Sequence, residues 1–146
     1  AVYRPLTGLE LRANYGYTYA RFLRYEKSAT VSYTGNMLPM VPRQTMAFAA
    51  NYTIPHVMGL DKLMLNAALT GAGKIYWTEA NTLRQPFYTL LNLKVAATKG
   101  RFTWELWTKN TTNTRYMAYA FVAPTAYAQQ GRPFTMGTSL LFKLNP

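Results

Sequence analysis

Cysteine is absent from this 146-residue chain, which removes both a disulfide framework and a thiolate metal site. Acidic residues are scarce: 5 Asp and Glu stand against 16 Lys and Arg, a formal net charge of +11. The acids Glu10, Glu26, Asp61, Glu79 and Glu105 are scattered over separate segments, and no spacing supports a paired-carboxylate site. The single histidine, His56, falls in an expected turn and reads as a solvated loop residue. We therefore expect no enzyme, no bound metal and no cofactor. Although 49% of the residues are hydrophobic, no apolar run approaches the roughly 18–20 residues of a transmembrane helix. A basic-then-apolar leader is missing too, and the chain starts at Ala1, so a processed product or a piece of a longer chain is expected. Gly71-Ala72-Gly73-Lys74 glances at a phosphate loop, but Ala68 stands where its first Gly belongs and Ile75 replaces the Ser or Thr. These are better read as small residues within a strand, relieving crowding or permitting a bend.

What is present is dispersed aromatic and β-branched character, with Tyr 12, Phe 7 and Trp 3. That composition is typical of β structure. Period-two alternation recurs along Leu9 to Phe22, Thr45 to Ile54, Lys62 to Trp77, Phe87 to Thr98, a run from Phe102, and Phe134 to Leu144. Ala1-Val2-Tyr3 reads as the tail of a preceding strand, and Arg4-Pro5-Leu6-Thr7-Gly8 as a tight turn. Leu23 to Arg43 and Asn110 to Arg132 read as irregular, Thr78 to Pro86 as a polar loop, Pro55 to Asp61 as a shorter connection, and Lys99-Gly100 as a minimal hairpin turn. The expectation is all-β: about six long antiparallel strands with connections alternating between short and long.

The placement of charge is informative. Glu10, Arg12, Lys62, Lys74, Lys94, Glu105, Lys109 and Lys143 share the mixed parity of their strands, and the opposite parity stays uncharged until strand ends such as Arg21. A soluble sandwich also segregates its faces. Long strands with one wholly uncharged face and aromatics near their ends fit the lipid-facing wall of a membrane barrel better, since a Lys or Arg near the midplane costs about 2–4 kcal/mol there. Single-chain bacterial barrels start at about eight strands, and six cannot close without exposing edges. Part of a larger barrel is therefore expected.

Four ordered motifs carry a resemblance. Gly35-Asn36-Met37-Leu38-Pro39-Met40-Val41-Pro42 is similar to a G-N-x-x-P-x-V-P lead-in to a late strand. Gln85-Pro86-Phe87-Tyr88-Thr89-Leu90-Leu91-Asn92-Leu93 is similar to P-x-Y-T-L-L-N-L. Asn110 to Tyr116 occupies the place of N-L-F-D-K-x-Y, and Gly131-Arg132-Pro133-Phe134 that of a G-x-P-R ending. Together they resemble the final part of the barrel of TonB-dependent outer-membrane receptors of the siderophore type. The departures are the missing Leu-Phe-Asp after Asn110, Phe134 in place of Arg, and a Leu144-Asn145-Pro146 terminus in place of a final aromatic residue. The family's plug domain, TonB box and earlier strands have no counterpart in these residues.

The resemblance implies that residues 1–146 form the C-terminal segment of such a barrel, in the outer membrane of a Gram-negative bacterium. The segment would contribute wall and outer loops to TonB-dependent uptake of a ferric siderophore or a similar large nutrient. Expected partners are the rest of the barrel and its plug, the TonB complex through the N-terminal part, outer-membrane lipid and lipopolysaccharide, and the barrel-assembly machinery. Arg12, Lys74, Lys94 and Lys109 are expected on the lumen side. Outer-loop ligand candidates are Arg21, Arg24, Tyr25, Tyr33, Arg115, Tyr116, Tyr119 and Tyr127, because Arg and Tyr suit anionic, aromatic-rich ligands. Lipopolysaccharide contact or an aromatic girdle would use the same residue types. Thr135, Gly137, Leu140 and Phe142 fit the polar-x-Gly-x-x-hydrophobic-x-hydrophobic assembly signal. The alternative is a small self-contained barrel or soluble β-domain binding nucleic acid or another polyanion. It is disfavoured because Tyr15, Tyr17 and Tyr19 share a face with Leu9, Leu11 and Ala13, while Arg12 points the other way, so no nucleic acid is expected.

Overall fold

The computed structural model describes residues 1–144; Asn145 and Pro146 of the terminus noted above lie outside the described residues. The chain runs through β1 (Val2–Leu6) and β2 (Leu9–Tyr17), a small hairpin of β3 (Glu26–Ser28) and β4 (Val31–Ser32), then β5 (Gln44–Val57) and β6 (Leu60–Gly73). A short pair follows, β7 (Ile75–Tyr76) and β8 (Arg84–Gln85), then β9 (Tyr88–Lys99) and β10 (Phe102–Lys109). A second hairpin, β11 (Met117–Val122) and β12 (Ala126–Gln130), precedes β13 (Thr135–Phe142). Seven of these strands make one antiparallel sheet in the order β1-β2-β5-β6-β9-β10-β13. Among the described residues no β1–β13 pairing closes it, so its two outer strands each present an unpaired edge there.

Register follows from the alternation, because a one-residue slip would exchange the two faces of a strand. One row runs Glu10–Asn51–Asn66–Lys94–Trp107–Gly137 across the sheet. The adjoining row on the other face runs Leu11–Ala50–Ala67–Leu93–Thr108–Met136. On the polar face, Asn66 Nδ2 donates to Asn51 Oδ1 at 2.6 Å, and Lys94 Nζ lies 3.4 Å from Glu105 Oε1. Arg4 and Arg12 both pair with Glu10. The apolar face has no second layer over it among the described residues, and Trp104, Met136 and Leu140 stay 54%, 67% and 69% exposed. Two hydroxyls on that face are internally satisfied. Thr138 Oγ1 accepts from the Trp104 indole N–H at 2.7 Å and donates to the Glu105 carbonyl at 2.9 Å, while Thr108 bonds Thr111 at 2.8 Å.

The six alternating runs are all present, and the expected strand tail at Ala1 extends to Leu6 as a seventh strand. The turn expected over Arg4–Gly8 shrinks to Thr7-Gly8, since a proline is tolerated on an edge strand at an irregular register, which here falls between Tyr3 and Leu6. His56 lies inside β5, exposed, and the turn after it is Met58-Gly59, where both residues have positive φ. The run read from Lys62 to Trp77 is not one strand: it breaks after Gly73, and Ile75–Tyr76 leave the sheet to pair with Arg84–Gln85. The stretch read as irregular over Asn110–Arg132 contains the β11–β12 hairpin, and the first long connection contains β3–β4.

The turns Thr7-Gly8, Met58-Gly59 and Gly100-Arg101 lie at one end of the sheet. The three long connections, residues 18–43, 74–87 and 110–134, lie at the other. The hydrophobic core sits among those connections, not against the sheet. Ile75, Trp77 and Ala120 are buried together, with Leu83 and Met117 packed on them.

Candidate functional site

Each long connection is ordered by its own backbone bonds and tied to its neighbour. In the first, the β2–β5 hairpin continues past the sheet: Thr18 N–H donates to the Arg43 carbonyl, Leu38 N–H to Ala20, and Phe22 N–H to Asn36. Asn81, held at a φ of 57° in the second connection, clamps Met37 of the first. Its Oδ1 accepts from Met37 N–H at 2.8 Å and its Nδ2 donates to the Met37 carbonyl at 2.9 Å. Asn36 Nδ2 adds a bond to the Glu79 carbonyl at 2.8 Å, so the Gly35-Asn36 motif is a fastening between two loops. Gln85, buried in the second connection, accepts from Met117 N–H of the third at 2.7 Å through Oε1. Asn110, also buried, bonds Thr114 through both side-chain atoms and donates to the Arg132 carbonyl at 3.0 Å, closing the base of the third connection.

The eight expected ligand residues all lie on these connections, in two groups flanking the second connection. In the first group, Tyr25 packs edge-on to Tyr33 at 5.5 Å between ring centroids and against Phe22 at 4.8 Å. Arg21 lies 5.9 Å from the Tyr19 ring and bridges to Met37, while Arg24 is exposed. Lys27 sits over Tyr33 at 5.5 Å. In the second group, Tyr116 stacks on Tyr88 at 4.4 Å with 13° between planes. A groove of about 750 Å³ runs beside that stack, and Arg115, Thr114 and Gln130 line it. Tyr119 packs edge-on to Trp77 at 6.0 Å, and Tyr127 stacks on Phe121 at 5.3 Å. Tyr116 and Arg115 thus border an open groove, whereas Tyr119 is engaged in holding the loop core.

Sequence reasoning did not single out Asn81, Gln85 or Asn110 as ties, nor Arg43 and Arg84. Asn at a turn was a visible signal for a positive φ, which Asn81, Asn110 and Asn113 all adopt. Arg43 donates from Nε and Nη2 to the Tyr17 hydroxyl at 3.1 and 3.0 Å. That hydrogen bond and the neighbouring phenol hold its guanidinium above the ordinary arginine value.

The wall cations sit differently from one another. Arg12 and Lys94 are partnered by acids of the same sheet, and Lys109 lies 5.3 Å from the Trp107 ring. Lys74, expected with them, stands beyond the break at Gly73 and lines a notch with Tyr17 and Phe87. Of the four assembly-signal positions, Thr135 pairs with Lys109, and Phe142 packs on Phe102 at 4.9 Å. Leu140 is open on the apolar face. Gly137 lies directly under the Trp107 indole, which a Cβ there would overlap.

Comparison with known proteins agrees with this architecture. The ferric yersiniabactin uptake receptor FyuA of Yersinia pestis superposes with a TM-score of 0.83 at 25% identity, covering 97% of this chain and 22% of the receptor. The siderophore receptor PiuA of Acinetobacter baumannii superposes with a TM-score of 0.72 at 19% identity, covering 96% of this chain and 20% of that one. The chain thus spans about a fifth of the length of these receptors. Residues 2–116 match the family described as TonB dependent receptor-like, beta-barrel, and with most of its length inside that match the chain belongs to the TonB-dependent receptor β-barrel family.

Proposed function

We propose that residues 1–146 are the C-terminal segment of an outer-membrane TonB-dependent receptor of a Gram-negative bacterium, serving uptake of a ferric siderophore or a similarly large nutrient. The observation that carries this reading is the single-layer sheet itself. One face is uncovered and uncharged except for Asp61 and Lys99, which pair at the short-turn end, the other is polar and internally paired, both edges are open, and all three long connections gather at one end. The sheet's open edges await the earlier strands, and its polar face turns to the lumen and plug. Its loop end faces outside, with the TonB complex reached through the receptor's N-terminal part. This is a receptor and transporter role, not catalysis. A small soluble domain loses support because burying Trp104, Met136 and Leu140 would need a layer that the described residues do not supply, and a small closed barrel because β1 and β13 do not pair.

Arg115 and Tyr116, beside the groove, are the strongest ligand candidates, with Tyr25, Tyr33, Arg21, Arg24 and Tyr127 more peripheral and Tyr119 structural. Thr135, Gly137, Leu140 and Phe142 form the terminal strand offered to the assembly machinery. The test is uptake of radioiron by iron-starved cells carrying the full receptor, using a panel of ferric catecholate, hydroxamate and phenolate siderophores. At least one should accumulate only in energised cells, with Arg115→Gln plus Tyr116→Ala lowering its uptake about tenfold or more. Accumulation that ignores the energy state of the cell would overturn the reading.

A further inference from the structure

Three of the four ordered motifs meet at one place beside the third connection. Tyr88 belongs to the second motif, Tyr116 closes the third and Gly131 opens the fourth. Gly131 N–H donates to the Tyr116 carbonyl at 2.8 Å, which sets the two residues side by side. A Cβ at Gly131 would overlap Cζ and both Cε atoms of Tyr116, so glycine is what lets the hydroxyl end of that ring lie flat on the backbone. Tyr88 stacks on the same ring, with 4.4 Å between centroids and 13° between planes. Both neighbours meet Tyr116 face-on. What such a ring has left to offer a ligand is its edge and its hydroxyl.

The groove of about 750 Å³ beside the stack is of a size that takes a small organic group. Pro86, Phe87, Met117 and Ala128 give it apolar walls, Arg115 is its one charged lining residue, and no acid lines it. The ion pairs among the described residues do not use Arg115. Gln85 also lines the groove, but its amide is committed. Its Oε1 accepts from Met117 N–H at 2.7 Å, and its Nε2 donates to the Pro86 carbonyl at 2.9 Å. The Arg115 guanidinium and the Tyr116 hydroxyl are therefore the strongest donors at hand. A guanidinium holds a carboxylate through two parallel bonds, a phenol adds a third, and apolar walls accept a flat ring.

We propose that the groove holds a planar aryl carboxylate, its carboxylate on Arg115 and the Tyr116 hydroxyl and its ring against the apolar walls. Tyr88 and Gly131 are positioning residues in this site, fixing Tyr116 edge-on before a ligand arrives. The inference rests on the reading of this groove as a ligand site of the receptor, and it names the chemical group selected and the part Tyr116 plays. Preorganisation of this kind removes an ordering cost from binding. Stacking by Tyr116 would make a different demand, because phenylalanine also stacks and only edge-on donation needs the hydroxyl.

The experiment titrates the full receptor in mild detergent with benzoate and with benzamide, its neutral isostere, by saturation-transfer NMR. Each variant is first checked for heat-modifiable migration on a denaturing gel. Benzoate should bind about fivefold or more tightly than benzamide, and Arg115→Gln should abolish that preference. Tyr116→Phe should weaken benzoate as much as Tyr116→Ala does, about threefold or more. Tyr88→Ala and Gly131→Ala should weaken it to a similar extent, whereas Tyr88→Phe, which keeps the stack, should match the parent. Equal affinity for the two probes, or no binding of either, overturns the proposal. So does a Tyr116→Phe variant that holds benzoate like the parent, or a folded Tyr88→Ala variant that keeps the parent's preference. Radioiron uptake by cells carrying the parent receptor tests the receptor reading separately. Where uptake is energised and the benzoate preference is absent, this proposal falls and that reading stands.

Discussion

Leu93 offers the sharpest test of the two-faced wall. It sits in the middle of the 12-residue strand β9, with Asn92 and Lys94 as its chain neighbours on the opposite face. At about 3.4 Å per residue such a strand is roughly 40 Å long, and a tilt of about 40° brings its span to about 30 Å, the thickness of the hydrocarbon layer. Leu93 then lies near the midplane, beside Ala67 and Thr108 in its row. Replacing it by Lys should cost about 2–4 kcal/mol, roughly a 30- to 700-fold loss in the folded-to-unfolded ratio. Thr70→Lys, exposed on the lumen side of the neighbouring strand β6, should change stability by no more than about 0.5 kcal/mol. Denaturant unfolding of the full receptor in lipid vesicles, followed by tryptophan fluorescence, reads both variants. Equal costs for the two, or a Leu93→Lys variant as stable as its parent, would refute the assignment of faces.

Further expectations follow from individual contacts. Gly137→Ala should destabilise the receptor by about 1–3 kcal/mol through overlap with the Trp107 indole, and Trp107→Ala in the same chain should recover part of that loss in a double-mutant cycle of unfolding midpoints. Asn110→Ala strips the base of the third connection of its side-chain bonds at a cost of about 1–3 kcal/mol, seen as faster protease nicking between residues 111 and 133 of the folded receptor. Asn81→Ala should loosen the first connection locally without lowering global stability, so hydrogen exchange should quicken at Met37 and stay unchanged in β9.

Much of the wall was legible because lipid and lumen impose opposite demands on alternate residues, and that demand is written at period two. The edge strand at Val2–Leu6 was half hidden by Pro5, which reads as a turn unless the unpaired outer edge is known. The misplacement of Lys74 has a specific cause: its parity was counted along an unbroken run from Lys62, whereas Gly73 ends the strand. The hairpin at residues 117–130 was missed although Tyr119, Phe121 and Tyr127 alternate with small residues, since its turn carries no Asn-Gly or Asp-Gly signal. The loop ties were illegible for a different reason. Asn81 and Met37 are 44 residues apart, and nothing local to either position announces the other. The eight loop candidates were correctly found on the loops, but residue type alone did not separate Tyr116, which borders a groove, from Tyr119, which fills a core.

The second connection, fastened on one side by Asn81 and on the other by Gln85 and Trp77, bears on how this surface can change under selection. An insertion or deletion between residues 74 and 87 would have to be accommodated by both neighbours at once, so its length is under a joint constraint. The tips around Ala29-Thr30 and Pro124-Thr125 are exposed and carry none of these fastenings. Diversification in response to antibodies or other outside agents should therefore accumulate at those two tips, where substitutions are nearly free. Between them the segment should drift slowly, because it is the clasp that holds its neighbours.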